Sequence, residues 1–469
     1  YGDHRDLHLS IRRQRQMCIR DRYIIEPELW KQKDMSLRQW QFTLDSLKDL
    51  QHQLTKNNLH LNILYGDALE IFNFLKDKYN FDSVISEQET GIKWTFERDK
   101  KLKSFFLQND IHWIECAYPG VRRGHHDRNQ WAKFFRKDIL RYPNLPIIKQ
   151  SINLGLKNYD LPKIFYDTTP CPNRQKGGSR EAEKLLSTFL NSRGENYQYE
   201  MSSPISAEKS CSRLSTHLTY GTISHRSVFQ EATQKKEKIQ LTNKNFAKSI
   251  NSFLSRLHWR SHFIQKLEDQ PSIEHESFIP VYDQIREKDF RKLDAWIEGK
   301  TGVHFIDACM IYLRNHGWIN FRMRAMLASF ASYNLWLDWR YFGPRLAALF
   351  TDFEPGIHYS QLQMQSGTTG INTIRMYNPY KQALDQDPEA KFIKSQLPEY
   401  NNFPPSFFFK PPELSNNENL FNDSKLETIV DVTKTAKFAR DKIFSIRKLP
   451  EHQKMAKNVF IRHGSRQNR

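Results

Sequence analysis

The hydrophobic pattern changes period along the chain. Leu37, Trp40, Leu44, Leu47 and Leu50 recur at helical spacing over residues 36–54. Residues 59–65 alternate instead and stop at Gly66 and Asp67, which predicts a strand. Residues 68–79 return to the helical period through Leu69, Phe72 and Leu75. Residues 23–26, 81–86 and 111–115 read as further strands, and 95–109 as a helix. Strands that alternate with helices imply βαβ units, so this part predicts an α/β fold with a Rossmann-like parallel sheet. From residue 179 the pattern is helical, over 182–190, 246–268, 289–299, 306–315 and 318–339, with no convincing strand. Between the two regions, five prolines within 142–178 and the pair Gly177–Gly178 predict an extended linker.

The expected organisation is an α/β domain over 23–141, a linker over 142–178, an all-α domain over 179–432 and a basic tail over 433–469. Residues 1–22 stand apart. They hold six Arg and three Asp with no hydrophobic period, and they lack the apolar core of a signal peptide. They are expected to be a non-native leader. The sheet would then lack at least its first strand, and the chain would be a fragment.

Charge narrows the partners. Lys and Arg number 71 against 53 Asp and Glu, a net +18, which favours a polyanion such as nucleic acid or an anionic membrane surface. The longest apolar candidate, 326–339, is broken by Ser, Asn and Asp, so no run reaches the ~18 residues of a membrane span. A cytoplasmic monomer is expected. The five cysteines form no CxxC pair, which points to neither a zinc site nor a disulfide scaffold. His125 and His126 beside Arg122, Arg123 and Arg128 read as an exposed basic loop, and no metal is expected. The tail carries eleven Lys or Arg against Asp441 and Glu451, and reads either as a solvated charged face or as a polyanion contact.

Three segments could carry chemistry. Residues 210–216, with Ser210, Cys211, Ser212, Arg213, Leu214 and Ser215, suit either a phosphate or an ordinary helix cap. Residues 253–263 interleave Phe253, Trp259 and Phe263 with Arg256 and Arg260, as in base stacking or a plain amphipathic helix. Arg322 and Arg324 open an apolar stretch and need partners. Asp352, Glu354 or an anionic cofactor would serve.

Together with the string EGKTGVHFIDACMIYLRNHGWINFRMRAM at 298–326 and the Asn378–Pro379 segment, these residues resemble the photolyase/cryptochrome family over nearly all of 23–400. The resemblance implies an α/β antenna domain followed by a helical FAD domain. It implies that FAD is held by Tyr197, Cys211, Ser212, Arg213, Leu214, Ser215, Phe253, Arg324, Asp352, Phe353, Glu354 and His358. His358 falls where a residue faces flavin N5. Trp339 would act in electron transfer, and Trp259, Arg260 and Arg322 would contact DNA containing pyrimidine dimers. A second antenna chromophore would lie in the α/β domain, near Glu87, Glu89, Trp94 and Arg98.

The departures concern the lesion pocket and the electron chain. Arg256 stands where repair enzymes of the family carry Glu, Leu362 near a second dimer-stacking Trp, and Phe321 where many have Asn. No Trp follows Trp339, and Arg286 lies where the family's outer chain Trp would fall. Tyr333, Tyr341 or Tyr359 could substitute. The implied activity is a blue-light DNA photolyase, with Arg256 offsetting charge on the dimer; the alternative is a cryptochrome-like photoreceptor without repair.

Overall fold

The computed structural model describes residues 21–79, 81–124, 128–141, 164–411 and 428–464. Residues 1–20 of the leader, His125 and His126, and 142–163 of the linker lie outside them.

Four short strands, β1 (Asp21–Ile25), β2 (Leu61–Tyr65), β3 (Ser83–Glu87) and β4 (His112–Cys116), alternate with helices α1 (Leu37–Lys56), α2 (Ala68–Tyr79) and α3 (Lys93–Gln108). All pairing is parallel, as the alternation requires. The expected single sheet is instead two ladders, β1 with β2 and β3 with β4. Tyr23 pairs with Ile63 in one, and Ile85 with Ile114 in the other. Ile24, Leu64, Val84 and Trp113 pack on one shared cluster built on Phe72, Leu75 and Phe106, so the two ladders bury a common core. β1 begins at Asp21, two residues before the expected domain start.

Helix α1 does more than cover strands. Its first turn runs into the helical part of the chain. Arg38 is 1% exposed, and its Nη1 donates to Leu349 O at 2.8 Å. Gln39 Nε2 donates to Phe350 O at 3.1 Å. Helix carbonyls without an intrahelical donor need such partners. The described end of the linker adds Leu37 N to Asp167 O, 2.9 Å, and Arg38 Nη2 to Thr169 O, 3.2 Å.

After helix α4 (Trp131–Ile139), the helical part holds α5 (Ser179–Thr188), α6 (His225–Ile239), α7 (Lys244–Asp269), α8 (Phe290–Glu298), α9 (His304–His316), α10 (Phe321–Ser329), α11 (Trp339–Leu349), α12 (Pro355–Gln365), α13 (Pro379–Gln386) and α14 (Lys391–Gln396). The helix expected over 318–339 is broken. Trp336 takes φ +55, a left-handed backbone that ends helices, and its Nε1 donates to Ile285 O at 2.8 Å. Asp338 then caps α11 by accepting Arg340 N at 2.9 Å.

The basic tail forms two further helices, α15 (Val432–Arg447) and α16 (Pro450–His463). Ala439, Ile443, Ile446 and Val459 bury their apolar faces against Ile279, Tyr282 and Tyr333.

Two glycines set the site. Gly317 has φ +65, and a Cβ there would lie 2.1 Å from Thr351 Oγ1. Thr351 N donates to Gly317 O at 2.8 Å, which pins residues 351–354 beside the start of α10. A Cβ on Gly356 would lie 2.6 Å from Ile264 Cα, so only glycine lets the first turn of α12 approach the C-terminal part of α7.

Candidate active site

The segment 209–215 is shaped by a residue that pattern reading missed. Arg193 Nη1 donates to Lys209 O at 2.8 Å and to Cys211 O at 2.7 Å, and Nη2 donates to Ser212 O at 3.3 Å. With Leu185 O, which Nη2 also meets at 3.0 Å, one guanidinium gathers four carbonyls. Arg213 then takes φ +62, costly for a residue with a Cβ. Its guanidinium lies 3.7 Å from the centre of the Trp318 ring. Only the fold reveals this clamp, because its acceptors lie eight to nineteen positions away.

Arg324 Nη2 donates to Asp352 Oδ2 at 2.8 Å, and its Nε to Ile319 O at 2.7 Å. The Asp352 side chain is 2% exposed. Asn320 Nδ2 donates to Met201 O and Ser202 O. Tyr197 is buried and meets Phe189 and Phe253 edge-on, at 5.7 and 6.3 Å between ring centres. Burial raises its hydroxyl pKa, and Arg256 opposes that rise. Burial also pushes the Cys211 thiol up to about 12, which keeps it protonated. Leu214 is fully buried, and Ser212 Oγ accepts Leu214 N at 3.4 Å.

His358 donates from Nε2 to Gly343 O at 2.9 Å, because only an N–H can serve a carbonyl. Burial lowers its pKa to about 4, so the ring is neutral and Nδ1 is an acceptor. Phe353 packs against it at 5.3 Å.

The residues expected at the lesion surface divide between interior and solvent. Arg260 is 7% exposed and faces inward. Its Nη2 donates to Glu354 Oε2 at 2.7 Å, Tyr118 Oη at 2.9 Å and Leu218 O at 3.2 Å. Burial alone would lower its pKa, but Tyr118 and Glu354 outweigh it and raise it. Arg260 is therefore an interior ion-pair residue rather than a surface cation. The same pair engages the Glu354 carboxylate through Oε2. Trp259 is 46% exposed and Phe321 49%; Arg256 is exposed and Arg322 half-buried. Arg256 lies 5.8 Å from the Trp259 ring centre. These side chains can meet a large ligand from solvent.

Trp339 is 1% exposed, and its Nε1 donates to Ser277 Oγ at 3.0 Å. Its aromatic neighbour Tyr359 lies edge-on at 6.2 Å. The Tyr359 hydroxyl donates to Asp34 Oδ2 at 2.9 Å. In the α/β domain, Arg98 is engaged by Glu26, Glu89 and Asp99 and lies over Trp94, while burial raises the Glu87 carboxyl. Among the described residues, no three His, Cys, Asp or Glu side chains group as a metal site.

The test of fit for a large anionic cofactor is which buried polar atoms lack a protein partner. They include Arg213 Nη1, Ser215 Oγ, Thr219 Oγ1, Asn320 Oδ1 and Asp352 Oδ1. Each would cost about 1–3 kcal/mol if left unsatisfied. A guanidinium, two hydroxyls, an amide oxygen and a carboxylate oxygen are the partners that phosphates and a polar ring edge require. The residues fit FAD.

The family described as FAD binding domain of DNA photolyase matches residues 253–445, and the one described as DNA photolyase matches 3–119. The deoxyribodipyrimidine photo-lyase of Escherichia coli is 25% identical, over 83% of this chain and 85% of its own. That of Halobacterium salinarum is 30% identical over 54% of this chain. The match spans about half its length, 55%. Cryptochrome-1 of Erithacus rubecula is 24% identical over 84% of this chain and 67% of its own. Among solved structures, a Synechocystis cryptochrome superposes with a TM-score of 0.81 at 20% identity, covering 94% of this chain and 96% of that one. An archaeal photolyase from Sulfolobus tokodaii, solved with two FAD molecules, gives 0.72 at 25% identity, covering 91% and 94%. The chain belongs to the photolyase/cryptochrome family, and residues 253–445 match its FAD-binding domain. No helix among the described residues is long and apolar enough to cross a membrane.

Proposed function

We propose that this chain is a deoxyribodipyrimidine photolyase, a blue-light-dependent enzyme that splits pyrimidine dimers in DNA. The observation that carries the reading is the set of buried polar atoms, without a partner among the described residues, that the helical part presents from 213–219, 320 and 352. Several curated relatives carry the photolyase name, and the net charge of +18 suits a polyanionic substrate. A cytoplasmic monomer goes with this reading.

Reduced FAD, when bound, supplies the light-driven electron that the chain itself cannot. Arg213 and Ser215 would hold its phosphates, and Arg324, oriented by Asp352, would hold the ring edge. His358, neutral, would offer Nδ1 as an acceptor. Tyr197 and Phe253 would keep water from the pocket. The exposed Trp259 gives a flipped base a stacking surface, and Arg256 and Arg322 give it cations. Extrusion is cheapest where stacking is already disturbed, which favours damaged sites.

Tyr359 takes the relay role left open by the absent tryptophans. It touches Trp339 and can pass its phenolic proton to Asp34 Oδ2. Tyr359→Phe is expected to slow light-driven flavin reduction at least tenfold with flavin content unchanged; transient absorption measures this, and an unchanged rate excludes the relay.

The test against a photoreceptor without repair is binding in the dark. Fluorescence anisotropy is expected to show at least tenfold tighter binding to a duplex with one thymine dimer than to its undamaged twin. Equal affinities would favour the photoreceptor. Arg256→Ala is expected to lower repair at least tenfold with flavin content intact. Unchanged repair removes Arg256 from the mechanism.

A further inference from the structure

A cavity of about 600 Å³ lies between residues 371–376 and helix α15, on the docked tail. It falls within the ~300–1,000 Å³ typical of small-ligand sites. Its wall from α15 carries Arg440, Phe444 and Arg447, spaced i, i+4 and i+7 and so on one face. The opposite wall offers Asn372, Ile374 and Met376. The lining holds two cations and no carboxylate.

Both arginines are poised for an anion. Arg447 is fixed by Nη2 donating to Asn372 O at 2.7 Å, and its Nε is buried with no acceptor. Arg440 is exposed and makes no ion pair or hydrogen bond among the described residues. Phe444 is 48% exposed, and with Ile374 and Met376 it gives the cavity an apolar side. The N–H groups of Thr373 and Ile374 take part in no backbone hydrogen bond.

We propose that this cavity is a second binding site, separate from the flavin cradle, for a phosphorylated aromatic of the nucleotide type. Its ring lies against Phe444 and its phosphate bridges Arg440 and Arg447. A flat apolar surface flanked by two guanidinium groups on one helix face selects that combination over an aliphatic anion. The same chemistry comes from two sources, a free mononucleotide or one nucleotide of a nucleic-acid strand. The inference stands without flavin photochemistry.

The test uses the flavin-loaded full chain in the dark, so that adenosine monophosphate cannot occupy the cradle. Isothermal titration with adenosine monophosphate, and anisotropy with an undamaged single-stranded oligonucleotide, are compared for the wild type, Arg440→Glu and Phe444→Ala. Both substitutions are at exposed positions. If the source is a free nucleotide, each variant weakens adenosine monophosphate at least tenfold. If it is a strand, adenosine monophosphate stays weak, and Arg440→Glu lowers oligonucleotide affinity and reduces the salt slope by about one. Affinities that neither variant changes would overturn the site. Inorganic phosphate binding as tightly as adenosine monophosphate would overturn the aromatic half.

Discussion

Asp352→Asn is expected to purify with less than a tenth of the wild-type flavin. Asp352 holds Arg324 through one oxygen at 2.8 Å and keeps the other buried without a protein partner. The substitution removes a charge from a charge-assisted bond. It also places an amide NH₂ where one of two acceptors stood. A hydrogen bond to a charged group contributes about 1.5–3 kcal/mol, which is roughly ten- to a hundredfold in affinity. Flavin absorbance per chain measures the effect, and circular dichroism checks that the helices persist. Full flavin occupancy in this variant would show that the cofactor does not depend on the Arg324–Asp352 pair.

The second large effect concerns folding. Arg260→Met leaves the Glu354 carboxylate buried without its cation. Breaking a buried pair from one side typically costs about 3–5 kcal/mol. Thermal unfolding of Arg260→Met should therefore begin well below that of the wild type. Adding Glu354→Leu should restore most of the loss, because replacing both partners with apolar groups removes the uncompensated charge. If Arg260 instead served DNA from the surface, the single variant would keep its stability and lose only binding. The two Arg260 side-chain accessibilities in question, interior and strand-facing, are thus separated by one melting curve.

The sequence pattern and the structure part company for physical reasons. Local signals carried well: helix α2 has the bounds that its apolar period and the Gly66–Asp67 stop imply. The strand alternation gave four parallel strands, although the split into two ladders depends on long-range pairing. The break inside 318–339 turns on the left-handed backbone of Trp336 and on an N-cap at Asp338, and an apolar run hides both. Arg260 sits beside exposed Trp259 on one helix, so its inward turn is set by Glu354, ninety-four positions away. Arg193 shows the same limit, as its partners are backbone carbonyls that carry no side-chain signature. The resemblance supplied the candidate cofactor residues, and the structure adds that Arg213, Ser215 and Asp352 keep buried polar atoms without a partner among the described residues, while Glu354 pairs with Arg260.

Light-driven repair of pyrimidine dimers is the activity proposed for this chain. The direct measurement is blue-light repair of a thymine-dimer oligonucleotide by the purified protein, with its flavin chemically reduced beforehand. Pre-reduction takes Trp339 and Tyr359 out of the result, so only the flavin and the lesion pocket are tested. Restored thymines are expected under illumination and none in the dark. Bound, reduced flavin with no restored thymines in the light would contradict it.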